Sequence, residues 1–215
     1  PVIFLFSKLV EVRGIVRPTV NKNYHLAARL KNKQVVVGQH LITGKETPKL
    51  SSPIKQLFLT ESEINPISSI VPIRDKMNHL ITQADLICYP MGSFYSSIIA
   101  NLLPKGIGAS INRAACPKIF IPNTTSDPET LGCDLADQIE ILLYYLKKDN
   151  PAGIKHENIL NFVFIDRENG AYPGKINEKR IKRMGIRLID YPLVSSRSSP
   201  LIDEQQLVEL LLSLN

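Results

Sequence analysis

Apolar positions along this chain fall into two regimes. Between Tyr24 and Leu41 they alternate with polar or small neighbours, as at Tyr24, Leu26 and Ala28. That period of two predicts a hairpin, with Lys31, Asn32 and Lys33 turning into a second, β-branched strand over Gln34 to Leu41. Thr43 to Pro53 is rich in Gly, Lys, Thr, Ser and Pro and reads as a loop. Ile54 to Leu59 is a further strand, and Glu61 to Pro72 is irregular, interrupted by Pro66 and Pro72.

From Ile73 the pattern changes. Met77, Leu80 and Ile81 stand at helical spacing, and the short apolar run Leu86 to Tyr89 follows. Pro90 to Ser93 leads into a helix from about Phe94 to Leu103, and Ile107 to Ala114 makes another. Lys118 to Ile121 reads as a buried strand. Asp134 to Lys147 is a strong amphipathic helix with Ile139, Leu142, Leu143 and Leu146 on one stripe. Asn161 to Ile165 and Ile186 to Ile189 read as strands, Ile176 to Met184 and Glu204 to Leu212 as helices. Short apolar strands alternating with helices predict an α/β, Rossmann-like three-layer core with a mainly parallel, doubly wound sheet, plus an appended N-terminal hairpin. The expected organisation is a hairpin and loop region over 1–72 packed on a core over 73–215, in one continuous domain. Because Pro1 opens the chain within an apolar stretch, Val2 to Leu9, the sequence reads as a fragment of a longer fold.

Composition narrows the class. With 215 residues, 44% hydrophobic and 21% charged, the chain can bury a core without disulfides or metal. Cys88, Cys116 and Cys133 are too scattered for a zinc site, and their odd number fits a reducing, cytoplasmic setting. The apolar run Val2 to Phe6 is too short to span a bilayer, so no membrane partner is expected. The net charge of +6 owes much to Lys175, Lys179, Arg180, Lys182 and Arg183. That cluster reads as a solvated helix face or as a surface for phosphates. With no aromatics between the charges, nucleic acid is not the expected partner. His25, His40, His79 and His156 lack partners at ligand spacing.

Ligands of such sheets bind at loops beyond the carboxyl ends of the strands. Two loops carry suitable chemistry. In Tyr89 to Ser97, Gly92 allows close backbone approach, Ser93 stands at the expected N-cap, and Ser96 and Ser97 add hydroxyls. Free N–H groups and the helix dipole there suit an anion; equally, Ser93 is an ordinary cap and Gly92 relieves a tight turn. In Pro122 to Thr130, Asn123 can hydrogen-bond a base or hydroxyl, and Asp127 or Glu129 can act as base or metal ligand. Plain turn chemistry explains the same residues. Two such loops on successive strands point to one shared cleft.

The run Ala84 to Leu103 (ADLICYPMGSFYSSIIANLL) resembles the "AD-x-I-x-x-GPGS-x-YTSIIPNLL" stretch of the 2-phospho-L-lactate transferase family, which includes a gluconeogenesis-factor branch. Asn123 to Thr130 resembles its "N-x-x-TQPGET" loop, Val12-Arg13-Gly14 with Pro18-Thr19 its "V-x-G-x-V-x-P-T" segment, and Val37 to Ile42 its "V-x-GQS-x-I" strand end. Order and spacing agree from about Val10 to Leu146, and the tail beyond Lys147 matches poorly.

The resemblance implies a cytoplasmic, Rossmann-like protein. The transferase branch moves a phospholactyl group from a guanosine-diphosphate-activated donor to a deazaflavin hydroxyl with magnesium; the gluconeogenesis-factor branch binds a nucleotide sugar and regulates metabolism. Carried onto matching positions, Gly92, Ser93, Tyr95, Ser96 and Ser97 surround a phosphorylated small molecule or nucleotide. Asn101 supports that loop, while Asn123, Thr124 and Thr125 line the opposite wall, with Asp127 and Glu129 as polar or metal support. The family's "GGGTG" and acidic "DDGGSSG" segments have no counterpart here, Tyr89-Pro90-Met91-Gly92 replaces Gly-Pro-Gly, and Gln138 stands where the family has His. Three readings follow: a transferase-like enzyme, a non-catalytic ligand-binding regulator, or an oligomeric scaffold; a homo-oligomer suits any of them.

Overall fold

The computed structural model describes residues 14–44 and 48–214, together with Leu9. The expectations placed on Val2 to Lys8 and on Val12 and Arg13 lie outside the described residues.

β1 (His25–Leu30) pairs antiparallel with β2 (Val35–Val37) on one side and with β3 (Ile54–Thr60) on the other. The appended unit is therefore a three-stranded sheet, one strand more than the hairpin. Lys33 adopts φ 74° in the turn, and the Gln34 N–H closes it on Asn32 Oδ1 at 3.1 Å. The second strand is shorter than the expected Gln34 to Leu41. Gly38, at φ 106°, breaks the extended run, and Gln39–Thr43 forms a short helix, α1. The free edge of β3 is covered from within: Tyr145 Oη accepts the Leu57 N–H at 2.7 Å, and the Ser69 N–H donates to the Leu59 carbonyl at 2.8 Å.

α2 (Asp75–Thr82) leads to the main sheet, built from β4 (Ile87–Tyr89), β5 (Lys118–Phe120), β6 (Phe162–Ile165) and β7 (Arg187–Asp190). All pairings are parallel, in the order β4-β5-β6-β7. Chain order equals spatial order, so the described strands contain no reversal of the doubly wound kind. Right-handed crossovers that advance in one direction leave their helices on one face. That face carries α4 (Ile107–Arg113), α5 (Leu135–Lys147) and α6 (Glu178–Arg183), and shares its apolar core with the appended sheet through Ala28, Leu30 and Leu57. The other face packs Ile119, Ile121 and Phe164 against Leu210 of α7 (Glu204–Leu212), completing three layers.

α5 starts where the sequence placed it. Asp134 and Asp137 form a reciprocal capping box, with N–H to carboxylate distances of 2.7 and 3.0 Å, and the Ile139, Leu142, Leu143, Leu146 stripe is buried. α4 crosses α5 very closely at Gly108, where an added Cβ would lie 1.8 Å from the Leu146 carbonyl oxygen. Backbone cannot yield there without separating the two helices. Gly108→Ala is therefore expected to lower stability by about 3 kcal/mol, the upper part of the usual overpacking range, measurable by denaturant unfolding.

Candidate functional site

Because the four strands are parallel, their carboxyl ends share one edge, and the loops after them meet there. The first and second loops are clamped by one side chain. The Gly92 N–H donates to Asn123 Oδ1 at 2.9 Å, and Asn123 Nδ2 donates to the Gly92 carbonyl at 2.7 Å. An amide carries both a donor and an acceptor, so Asn123 grips the backbone as a neighbouring strand would.

Beyond Gly92 the chain enters a π-helix, Phe94–Ile99, which continues as α3 (Ala100–Leu102). The expected ordinary helix is widened at its start, where both the Ser97 and Ile98 N–H groups reach the Ser93 carbonyl. Its leading N–H groups are answered by carboxylates of the second loop. Asp127 Oδ2 accepts from Phe94 at 2.7 Å. Glu129 Oε2 accepts from Tyr95 and Ser96 at 2.7 and 2.8 Å, and Glu129 Oε1 from the Ser96 hydroxyl. The positive helix end, expected to face a bound anion through Ser93 and Phe94, thus already holds two carboxyl groups of the chain itself. The Phe94 N–H belongs to Asp127. The Ser93 N–H alone of that pair has no partner among the described residues.

Ser93 also fails as the expected N-cap, since its side chain caps nothing; Asp127 does that work from the other loop. Ser93→Ala should change stability by less than about 0.5 kcal/mol in a denaturant melt, well below the loss of a true cap. Any fall in ligand affinity in this variant then reports contact between Ser93 and the ligand.

Glu129 is buried, with 1% of its surface exposed. Burial raises its pKa above the usual carboxylate value and nearby Asp127 adds to the shift, while the hydrogen bonds from Ser96 and Tyr95 oppose it. With Asp127 and Glu129 both engaged by the helix, the donor set does not fit a magnesium ion. Among the described residues no group of three or more His, Cys, Asp or Glu side chains gathers for one.

The remaining expected site residues divide by exposure. Ser97 is exposed, Ser93 and Thr125 are half-buried, and exposed Asn101 steadies the helix by donating to the Ser97 carbonyl at 2.7 Å. Tyr95, Ser96 and Thr124 are buried. The Thr124 hydroxyl donates to the Pro200 carbonyl at 2.9 Å, and its own carbonyl accepts the Ala171 N–H at 2.9 Å. The second loop is in this way tied to the loops after β6 and β7.

Those two loops went unmarked in the sequence. Asp166, 2% exposed at the end of β6, organises both. Its Oδ2 accepts from Leu193 and Val194 at 2.9 Å each, and its Oδ1 from Glu168 and Asn169 at 3.2 and 2.9 Å. Burial works against its charge, yet the N–H donors of Asn169, Val194 and Leu193 outweigh it and hold the pKa below the ordinary Asp value. In the last loop Ser195 Oγ donates to Asp203, whose carboxylate caps α7, and Arg197 reaches Asp203 and Glu204 at 3.5 and 3.2 Å. The Ser-Ser-Arg-Ser-Ser run over 195–199 was the available signal.

Parallel strands feeding a clamped, polar loop edge make this an α/β protein whose strand-end loops stand where sheets of this kind bind their ligands. The chain belongs to the family described as 2-phospho-L-lactate transferase CofD, which matches residues 1–194 and so extends through most of the tail that the motifs did not reach. It is similar to a putative gluconeogenesis factor of Thermoanaerobacterium thermosulfurigenes, with 30% identity over 213 residues, covering 97% of this chain and 63% of the relative. The gluconeogenesis factor of Bacillus subtilis (strain 168) is 29% identical over 204 residues, covering 89% and 58%. A crystal structure of a UPF0052 family protein from Bacillus halodurans superposes with a TM-score of 0.74 at 23% identity, covering 97% of this chain and 65% of that one. The chain spans about three-fifths of the length of these curated relatives. Among the described residues no helix is long and apolar enough to cross a membrane.

Proposed function

We propose that this chain supplies the binding cleft for a phosphorylated, nucleotide-containing ligand, held at the loop edge around Gly92 and Asn123. The observation that carries the reading is the Asn123 clamp. It grips the Gly92 backbone and leaves the Ser93 N–H, with the Ser93, Ser97 and Thr125 hydroxyls, as donors without a partner among the described residues. Phosphate oxygens and ribose hydroxyls are the groups such donors recognise. Transfer of a phosphorus-containing group, as the family name describes, is one use of that cleft. A nucleotide-sugar-binding regulator is the other, and the engagement of Asp127 and Glu129 by the helix favours it. Isothermal titration with guanosine diphosphate and with a uridine-diphosphate sugar tests the reading. Saturable binding of either supports it, and turnover of a nucleotide-activated phospho-donor with magnesium then separates enzyme from regulator. An absence of heat and of any thermal shift with both ligands defeats it in favour of a scaffold.

A further inference from the structure

A cavity lies away from the loop edge, between the appended sheet and α5. It measures about 520 Å³ and is lined by Lys31, Lys55, Tyr95, Cys133, Tyr144 and Tyr145, among others. That size suits a small organic molecule.

Tyr95 is the telling residue. It is 3% exposed, and its backbone N–H serves the Glu129 contact described above. Its phenol oxygen, by contrast, has no hydrogen-bond partner among the described residues, while the side chain lines this cavity. The hydroxyl is not sealed in: the buried side-chain polar atom left without a partner among the described residues is Gln206 Oε1, so the Tyr95 oxygen opens onto the cavity and can donate to an occupant. Burial raises its pKa, with Cys133 adding to the shift, so the phenol stays protonated and available as a donor at neutral pH. The phenol reaches a cavity other than the loop cleft where family resemblance placed Tyr95.

Charge around the cavity is lopsided. Asp137 and Glu140 line it too, but both are answered by Arg180, at 2.8 and 2.6 Å. Lys31 and Lys55 have no carboxylate partner among the described residues. The cavity therefore offers two ammonium groups without a carboxylate partner among the described residues and a phenol donor, against apolar walls from Pro53, Ile54 and Ile141.

We infer that this cavity is a binding site for a small aromatic carboxylate, with its acid group between Lys31, Lys55 and the Tyr95 hydroxyl and its ring against the apolar wall. The site is independent of the nucleotide cleft. Its occupant would, however, press on the same π-helix that Glu129 holds.

Cys133 in the wall gives a readout that needs no activity. Alkylation of the intact protein by iodoacetamide, resolved by cysteine with mass spectrometry, is followed with benzoate, benzyl alcohol or inorganic phosphate present at millimolar concentration. Benzoate should slow labelling of Cys133 saturably and leave Cys88 and Cys116 unchanged. Lys31→Ala with Lys55→Ala should weaken that protection about tenfold, and Tyr95→Phe a few-fold, with the melting temperature kept. In parallel, the ring resonances of carbon-labelled Tyr95 should shift with benzoate. Unshifted Tyr95 resonances, equal protection by benzyl alcohol or by phosphate, or protection indifferent to both lysines would each overturn the inference.

Discussion

Asp166→Ala is expected to be the most damaging single side-chain truncation at the loop edge, lowering stability by about 3 kcal/mol. The side chain is buried and accepts from four backbone N–H groups, two of them on the buried residues Leu193 and Val194. Those two donors have no other acceptor among the described residues, and each unmet buried N–H costs about 1–3 kcal/mol. Asp166→Asn should recover part of the loss, since its single carbonyl oxygen serves one pair of donors while its amino group faces the other pair. The effect also has a pH signature. The folded pKa of Asp166 lies below its unfolded value, so the carboxylate contributes stability above about pH 4, and that contribution fades as the pH falls through the folded pKa. Denaturant melts of parent and Asn variant should therefore differ fully at neutral pH and converge in acid. A gap that stayed constant down to the acid transition would mean that the charge of Asp166 is not what holds the two loops.

Gly92→Asp should abolish nucleotide binding while leaving the protein folded. Gly92 adopts φ 151°, a region strained for any residue with a side chain, and the strain costs on the order of 1–3 kcal/mol. Space is not the obstacle: an added Cβ would meet only Ser97 Cβ, at 3.8 Å. The new carboxylate would instead stand beside the open Ser93 N–H, on a loop that already gathers Asp127 and Glu129, and would repel a phosphate from the remaining donors. Gly92→Ala carries the strain without the charge, so it separates the two causes. Titration calorimetry should find no binding by the Asp variant and weakened binding by the Ala variant, with similar unfolding midpoints. Parental affinity in Gly92→Asp would remove the ligand from this loop.

Much of the fold was legible because its signals are local. The runs Ile87 to Tyr89, Lys118 to Phe120 and Phe162 to Ile165 are short and continuously apolar, as strands covered on both faces must be, and the α5 stripe declares its own period. The early stop of β2 was also written locally, in Gly38, but was outvoted by the apolar Leu41 and Ile42 beyond it. The two loops of the site were found by their density of polar groups. Their division of labour was not, because a donor at Tyr95 and its acceptor at Glu129 are 34 positions apart. Periodicity reports which face a residue occupies, never which distant backbone it will satisfy. Asp166 escaped notice for the same reason: one Asp after an apolar strand looks like turn chemistry until the loop that folds back onto it is known.

The carboxylate-filled helix start has a dynamic consequence. The amide hydrogens of Gly92, Phe94, Tyr95 and Ser96 are held by just three side chains, Asn123, Asp127 and Glu129, all from a single segment seven residues long. When that segment lifts, all four amides are released together. Their exchange with solvent deuterium should accordingly proceed at one common opening free energy, as a cooperative unit smaller than the domain. A ligand that binds across both loops would slow all four in step.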